Sequence, residues 1–74
     1  MTPREYMARE AAEGRTVPVL VRHEDGRELR TQAYCKYDAL LQAAGEFGVV
    51  PVAEELKKMS VFVKMPRREL GALS

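Results

Sequence analysis

The stretch VPVLVRHEDGRELRTQAY, residues 17–34, decides the fold. Two runs that are rich in β-forming residues flank Glu24-Asp25-Gly26, which is the pattern of a β-hairpin. We predict strands over residues 17–23 and 27–34. Because successive side chains of a strand point to opposite faces, every second residue should share one environment.

Two registers of this hairpin are compatible with its turn. A two-residue Asp-Gly turn pairs Val21 with an arginine, whereas a three-residue loop with Gly26 in the left-handed conformation pairs it with Leu29. The second register also places Arg22 opposite Glu28, so it matches apolar residues and opposite charges. We therefore predict that register, in which one face holds Val17, Val19, Val21, Leu29, Thr31 and Ala33.

A helix precedes the hairpin. Thr2 and Glu5 form a capping box, and Pro3 occupies the first helical position, where its missing N–H costs nothing. Residues 4–13 include good helix formers, and Gly14 fits the left-handed position that ends many helices. Its apolar stripe is thin, so the helix either packs by one narrow edge or leaves a face for another contact.

The chain after the hairpin alternates helix and strand. A second helix is predicted from an N-cap at Asp38 to a stop at Gly48, and Pro51 opens a short third helix. Residues 60–65 alternate as a third strand, and residues 66–74 are either another helical turn or a loose tail. The predicted fold is α+β in the order α-β-β-α-(α)-β-(α), with a small antiparallel sheet covered mainly on one face.

Composition limits the classes of protein to which the chain can belong. Its 74 residues suit one domain over 1–74, and 46% hydrophobic with 31% charged residues is ordinary globular composition. The net charge of +1 gives no overall attraction to nucleic acid or anionic membrane. The absence of Ile and Asn, with frequent Ala and Arg, suggests a high-GC genome.

The cell compartment is inferred from cysteine usage and hydropathy. Cys35 is the single cysteine and forms no internal disulfide, and no apolar leader follows Met1, so we expect a cytoplasmic protein. The longest apolar runs, residues 17–21 and 48–53, are far shorter than the roughly 20 residues that cross a bilayer. We therefore expect no membrane association.

Catalytic chemistry is disfavoured by the predicted register. It separates Cys35 from His23 by roughly 25 Å at about 3.3 Å per residue, too far for a catalytic dyad. We expect Cys35 to be a buried or half-buried small apolar residue. One His and one Cys so far apart cannot form a closed metal site, and no glycine-rich phosphate loop is present. We predict no enzyme activity, no cofactor, no metal and no small-molecule substrate.

Two features of the sequence are candidates for a binding role. Late in the chain lie five basic residues, and Phe62 shares a strand face with one of them. If Phe62 is exposed, this surface suits phosphate and stacked bases, or an acidic protein groove; if Phe62 is core, the lysines are a solvated rim. The basic residues are Lys57, Lys58, Lys64, Arg67 and Arg68.

The second feature is the hairpin tip, which carries both signs of charge. Arg22, His23, Arg27 and Arg30 alternate with carboxylates, a mixture that suits a protein partner better than uniform phosphate. An exposed strand edge can also pair with a partner's strand, and Pro18 marks either such an edge or a strand start.

Our leading hypothesis is a non-catalytic regulator that binds and modulates a larger protein assembly, with inhibition as the expected effect. Small domains from high-GC bacteria or their phages often act in this way on machines such as RNA polymerase or a nuclease complex. The predicted contact residues are Arg22, His23, Arg27, Arg30, Phe62, Lys64, Arg67 and Arg68.

Two alternatives remain open. The first is a nucleic-acid-binding module that uses Lys57, Lys58, Lys64, Arg67 and Arg68. The second is a homodimer that is joined through the Pro18 edge or the stripe of the first helix.

Overall fold

The computed structural model describes residues 2–65. They form a small α+β fold in roughly the predicted order, and the predictions for residues 66–74, including Arg67 and Arg68, lie outside the described residues. None of the described helices is long and apolar enough to cross a membrane. The elements are α1 (Pro3–Ala12), β1 (Val17–His23), β2 (Glu28–Ala33), α2 (Lys36–Phe47), α3 (Ala53–Leu56) and β3 (Met59–Val63).

The predicted hairpin register is confirmed. Val21 pairs with Leu29 and Arg22 with Glu28 in the antiparallel β1–β2 ladder. The Arg22 Nε donates to Glu28 Oε2 over 2.7 Å. Gly26 has φ of 99°, the left-handed region in which a residue without a Cβ is least strained. Apolar matching and turn chemistry therefore agree on one pairing.

The third strand pairs with the other side of β1, so the sheet order is β2-β1-β3 and β1 is central. Of the two interpretations of Pro18, the sheet edge is wrong and the strand start is confirmed, because Pro18 is the second residue of a central strand. Lys64 N donates to Pro18 O over 3.0 Å, but proline has no N–H to return that bond. The paired region of β3 therefore ends at the Val19–Val63 pair. A homodimer through a Pro18 edge is excluded because that edge is occupied.

The core lies between one face of the sheet and the helices. Val17, Val19 and Val21 are the largest fully buried side chains, and α2 covers them with small residues that allow a close approach. Burial of each valine contributes roughly 1.5–3 kcal/mol. The remaining buried apolar residues of this core are Tyr6, Met7, Ala33, Ala39, Leu40, Ala43, Ala44 and Met59.

The start of α1 is as predicted. Thr2 is the N-cap, and its Oγ1 accepts a hydrogen bond from Glu5 N over 3.2 Å. Gly14 has φ of 76°, as expected for a left-handed residue after a helix. Only Tyr6 and Met7 of this helix are buried, which confirms that its apolar stripe is thin.

The start of α2 differs from the prediction. The N-cap is Cys35, whose Sγ accepts from Asp38 N over 3.4 Å, so the prediction of Asp38 as N-cap is wrong. Asp38 instead lies in the first helical turn, and its Oδ2 accepts from Tyr34 N over 3.0 Å. Both side chains satisfy backbone N–H groups near the helix start. The helix ends, as predicted, at Gly48, with φ of 72°.

Candidate functional site

Alternation along the strands leaves one face of the sheet without helical cover among the described residues. The side chains on this face lie at the even-numbered positions of all three strands. All of them are exposed except Leu20, which is half-buried. We call this surface the open face; it comprises Pro18, Leu20, Arg22, Glu28, Arg30, Gln32, Ser60, Phe62 and Lys64.

An apolar patch lies at the middle of the open face. Phe62 is 48% exposed and lies directly opposite Leu20 of the central strand. The Arg22 guanidinium lies 5.5 Å from the centre of the Phe62 ring, within range of a cation–π interaction. Phe62 is therefore a surface aromatic and not a core residue, which decides between the two alternatives that its sequence position leaves open.

Positive charge surrounds this patch. Three cations and one carboxylate give the open face a formal charge of +2, compared with +1 for the whole chain. Arg22 pairs with Glu28, whereas within residues 2–65 no carboxylate pairs with Arg30 or Lys64. These two cations line a shallow hollow of about 310 Å³ above Pro18. The hollow has no acidic lining residue among those described, so it is suited to a carboxylate from outside.

His23 does not belong to the exposed hairpin tip. It lies on the covered face opposite Met59 and is only 7% exposed. Its ring packs edge-on against Phe47 at the end of α2, and its Nδ1 accepts from Asp25 N over 3.2 Å. Its Nε2 is buried and has no hydrogen-bond partner among the described residues. The prediction of His23 as a contact residue is therefore corrected, because β3 and α2 enclose it.

Arg27 is exposed, but it is held by its neighbours. Its guanidinium donates to Asp25 Oδ2 over 2.7 Å and to Phe47 O over 2.8 Å, and it lies 5.0 Å from the Phe47 ring. These contacts tie the hairpin tip to the end of α2. The Arg27 backbone N–H, with its guanidinium, lowers the pKa of the Asp25 carboxyl below its ordinary value. Arg27 thus stabilises the tip and has less freedom than Arg30 to meet a partner.

Three of the five basic residues late in the chain, Lys57, Lys58 and Lys64, lie within the described residues, and they do not form one cluster. Lys57 and Lys58 lie just before β3, whereas Lys64 lies just after it, about 20 Å further along the strand. Lys58 also pairs with Glu55, with Nζ and Oε1 separated by 3.3 Å. Lys64 lies beside Phe62 and has no carboxylate partner within residues 2–65, whereas Lys58 is paired, so the three lysines do not form a single continuous patch.

The lone thiol lies far from the lone imidazole. The confirmed register places His23 beside the turn and Cys35 beyond the opposite end of the hairpin. The prediction that Cys35 is buried or half-buried is wrong: it is exposed, and it is the N-cap of α2. Within residues 2–65 no three His, Cys, Asp or Glu side chains are grouped as a metal site would require.

A groove that the sequence did not predict lies on the covered side of the sheet. It is open, has a volume of about 1030 Å³, and separates α1 from the start of α2. Met7 and Ala8 form one wall, Tyr37 another, and Val61 and Val63 of β3 line it too. The sequence signal that could have indicated this groove is the thin apolar stripe of α1, because a helix that buries one narrow edge leaves space beside it.

Comparisons with models of known families, with curated proteins and with solved structures return no match.

Proposed function

We propose that this protein is a non-catalytic regulator that binds a larger protein assembly in the cytoplasm through its open face. The observation that carries the proposal is the exposure of Phe62, with Arg22 stacked on it, at the middle of an uncovered sheet. Aromatic and arginine side chains dominate the energetic centres of protein interfaces. Leu20 adds apolar area beside them, and charged residues form the rim.

The unpaired cations indicate the chemistry of the partner. Arg30 and Lys64 have no carboxylate partner within residues 2–65, so an acidic protein surface would complement them. Such charges mainly raise the association rate and select the partner, while the apolar centre supplies affinity. The sequence suggests one form of this proposal, in which a phage-encoded protein inhibits a bacterial machine such as RNA polymerase or a nuclease complex.

A nucleic-acid-binding function is the second candidate. An exposed Phe62 with Arg22 and Lys64 beside it resembles a platform for stacking one base against phosphate-binding cations. We favour a protein partner for two reasons. Among the described residues Phe62 is the only aromatic on the open face, and Glu28 places a carboxylate there.

Affinity capture from a lysate of the source cell tests the proposal. The bait is compared with a variant of the open face, Arg30→Gln with Lys64→Gln, and with a matched control, Lys57→Gln with Lys58→Gln. Each double substitution removes two exposed cations, so both variants have the same net charge. Every capture is run with and without nuclease, and circular dichroism verifies that both variants fold.

We expect the wild-type protein and the lysine control to retain the same protein after nuclease treatment, and the open-face variant to lose most of it. Equal capture by both variants would contradict a role of the open face. The nucleic-acid alternative would be established by a different result. In that case nuclease would abolish capture, both variants would capture less, and capture would depend steeply on salt.

A further inference from the structure

The two outer edges of the sheet differ in how their backbone groups are used. In an antiparallel ladder, alternate residues exchange both hydrogen bonds with the neighbouring strand. Lys64 N bonds to Pro18 O and Glu24 N to Lys58 O, which assigns the even-numbered residues of β3 to β1. Val61 and Val63 therefore direct their N–H and C=O groups away from the sheet. Within residues 2–65 those groups have no hydrogen-bond partner.

The β2 edge is partly blocked by side chains of α2. Its outward-facing groups include Gln32 O, which accepts from Gln42 Nε2 over 2.9 Å. The next outward N–H, that of Tyr34, donates to Asp38 Oδ2 over 3.0 Å. Native proteins commonly protect exposed strand edges by covering them in this way. In the described part of the chain the outward backbone groups of Glu28 and Arg30 on β2 also have no partner, but the end of that edge is covered by α2. On β3 the outward groups of both Val61 and Val63 are unpaired.

Both sides of the β3 edge have a defined chemistry. A strand added beside β3 would alternate its side chains between the two sheet faces. On one side they would meet Phe62 and Lys64 of the open face. On the other they would meet Val61, Val63 and the groove that these valines share with α1. The first side favours carboxylates near Lys64, and the second favours apolar side chains.

We propose that the partner contributes an extended segment, acidic on one side and apolar on the other, which adds to the sheet along β3. This inference rests on the proposed function, and it names the part of the partner that binds. The backbone of the segment pairs with Val61 and Val63, its carboxylates face Lys64, and its apolar side chains enter the groove. Backbone pairing would supply affinity and the alternating side chains specificity, as in other cases of strand addition.

Val61→Pro is the decisive variant. The Val61 N–H is not used by β1, so proline there removes the outward donor and leaves the β1–β3 ladder intact, as it does on natural edge strands. Val61→Ala is the matched control, because it removes side-chain volume but keeps the N–H. The probe is a short acetylated peptide of alternating Glu and Val, titrated into each isotope-labelled protein and followed by NMR. The same peptide with one edge N-methylated tests the pairing from the ligand side.

We expect the peptide to shift the amide signals of Val61, Phe62 and Val63. We also expect Val61→Pro and N-methylation each to weaken its binding by about tenfold or more, compared with Val61→Ala. Equal binding by Val61→Pro and Val61→Ala would refute strand addition. If capture of the protein partner still depended on Arg30 and Lys64, the proposed function would stand and only the edge assignment would fail.

A competing oligothymidylate forms the last arm of the experiment. If it displaced the peptide and shifted Phe62 and Lys64 more strongly, the occupant of this surface would be nucleic acid, and the inference would be overturned. If it left the peptide bound, the assignment to a protein segment would be supported. Circular dichroism verifies the fold of Val61→Pro. If that variant is unfolded, the binding of the N-methylated peptide to the wild-type protein decides the question.

Discussion

The two faces of the sheet are made from the same three strands, yet one face is buried in the core and the other is exposed. On β1, Val19 and Val21 are 2% and 0% exposed, whereas their neighbours Leu20 and Arg22 lie on the open face. The covered face supplies the burial that a small chain needs for stability. The open face carries an aromatic and unpaired cations that contribute little to folding. Adjacent positions of one strand can therefore be changed with very different consequences.

The largest difference should separate Val21→Ala from Leu20→Ala. Val21 is fully buried, so its truncation removes apolar contacts and leaves a cavity, and we expect a loss of about 2–3 kcal/mol in the free energy of unfolding. Leu20 is half-buried on the open face, and its truncation should cost less than about 1 kcal/mol. Urea denaturation measures both. A cost for Leu20→Ala equal to that for Val21→Ala would show that a further element covers the open face.

The helix over the covered face contains a smaller contrast, between its two glycines. Gly48 has φ of 72°, so Gly48→Ala should destabilise the protein by about 1 kcal/mol. Gly45 lies within α2, and a Cβ there would meet no atom within 4 Å. Gly45→Ala should stabilise the protein by about 0.5–1 kcal/mol, because alanine is the better helix former. Thermal unfolding should show shifts of opposite sign, and shifts of the same sign would contradict the described end of α2.

Cys35 provides a test at the other end of α2. Its Sγ accepts the Asp38 N–H, so Cys35→Ala should lose about 0.5–1 kcal/mol, while Cys35→Ser should keep or improve the cap. The exposed thiol should also react with a thiol reagent in the folded protein. If Cys35→Ala were neutral and the thiol were protected until unfolding, the capping role and the exposure would both be wrong.

The smallest effect concerns pH at the hairpin tip. The pKa of Asp25 is lowered in the folded state, chiefly because its carboxylate accepts the Arg27 backbone N–H. Its contribution to stability is therefore present above the ordinary pKa of 3.8 and is lost as the pH falls through the lower folded value. Thermal unfolding between acidic and neutral pH should show a weaker acid dependence for Asp25→Asn than for the wild-type protein. Identical curves would contradict this contact.

The parts of the fold that could be predicted depend on short-range information. The hairpin register follows from matching Val21 with Leu29 and Arg22 with Glu28 around one glycine turn, and all these residues lie close together in the chain. The start of α1 at Thr2 was predictable for the same reason, because a capping box spans one helical turn.

Two of the errors concern contacts between distant elements, and a third is local. The position of β3 beside β1 turned Pro18 from a candidate edge residue into one of a central strand. His23 is enclosed by β3 and by Phe47 of α2. Period two alone assigns side chains to two faces but does not say which face the helices cover. Cys35 and Asp38 were both near the start of α2, and cysteine is not among the preferred N-cap residues, so propensity favoured the wrong one.

The most direct test of the open face as an interface is site-specific photocrosslinking in the source cell. A photoreactive benzoylphenylalanine replaces Phe62 on the open face or, as a control, Leu41, which is 38% exposed on α2. We predict an adduct from position 62 that proteases degrade and nucleases do not, and no comparable adduct from position 41. A protein adduct from position 41 alone, or a nuclease-sensitive adduct from position 62, would contradict the account.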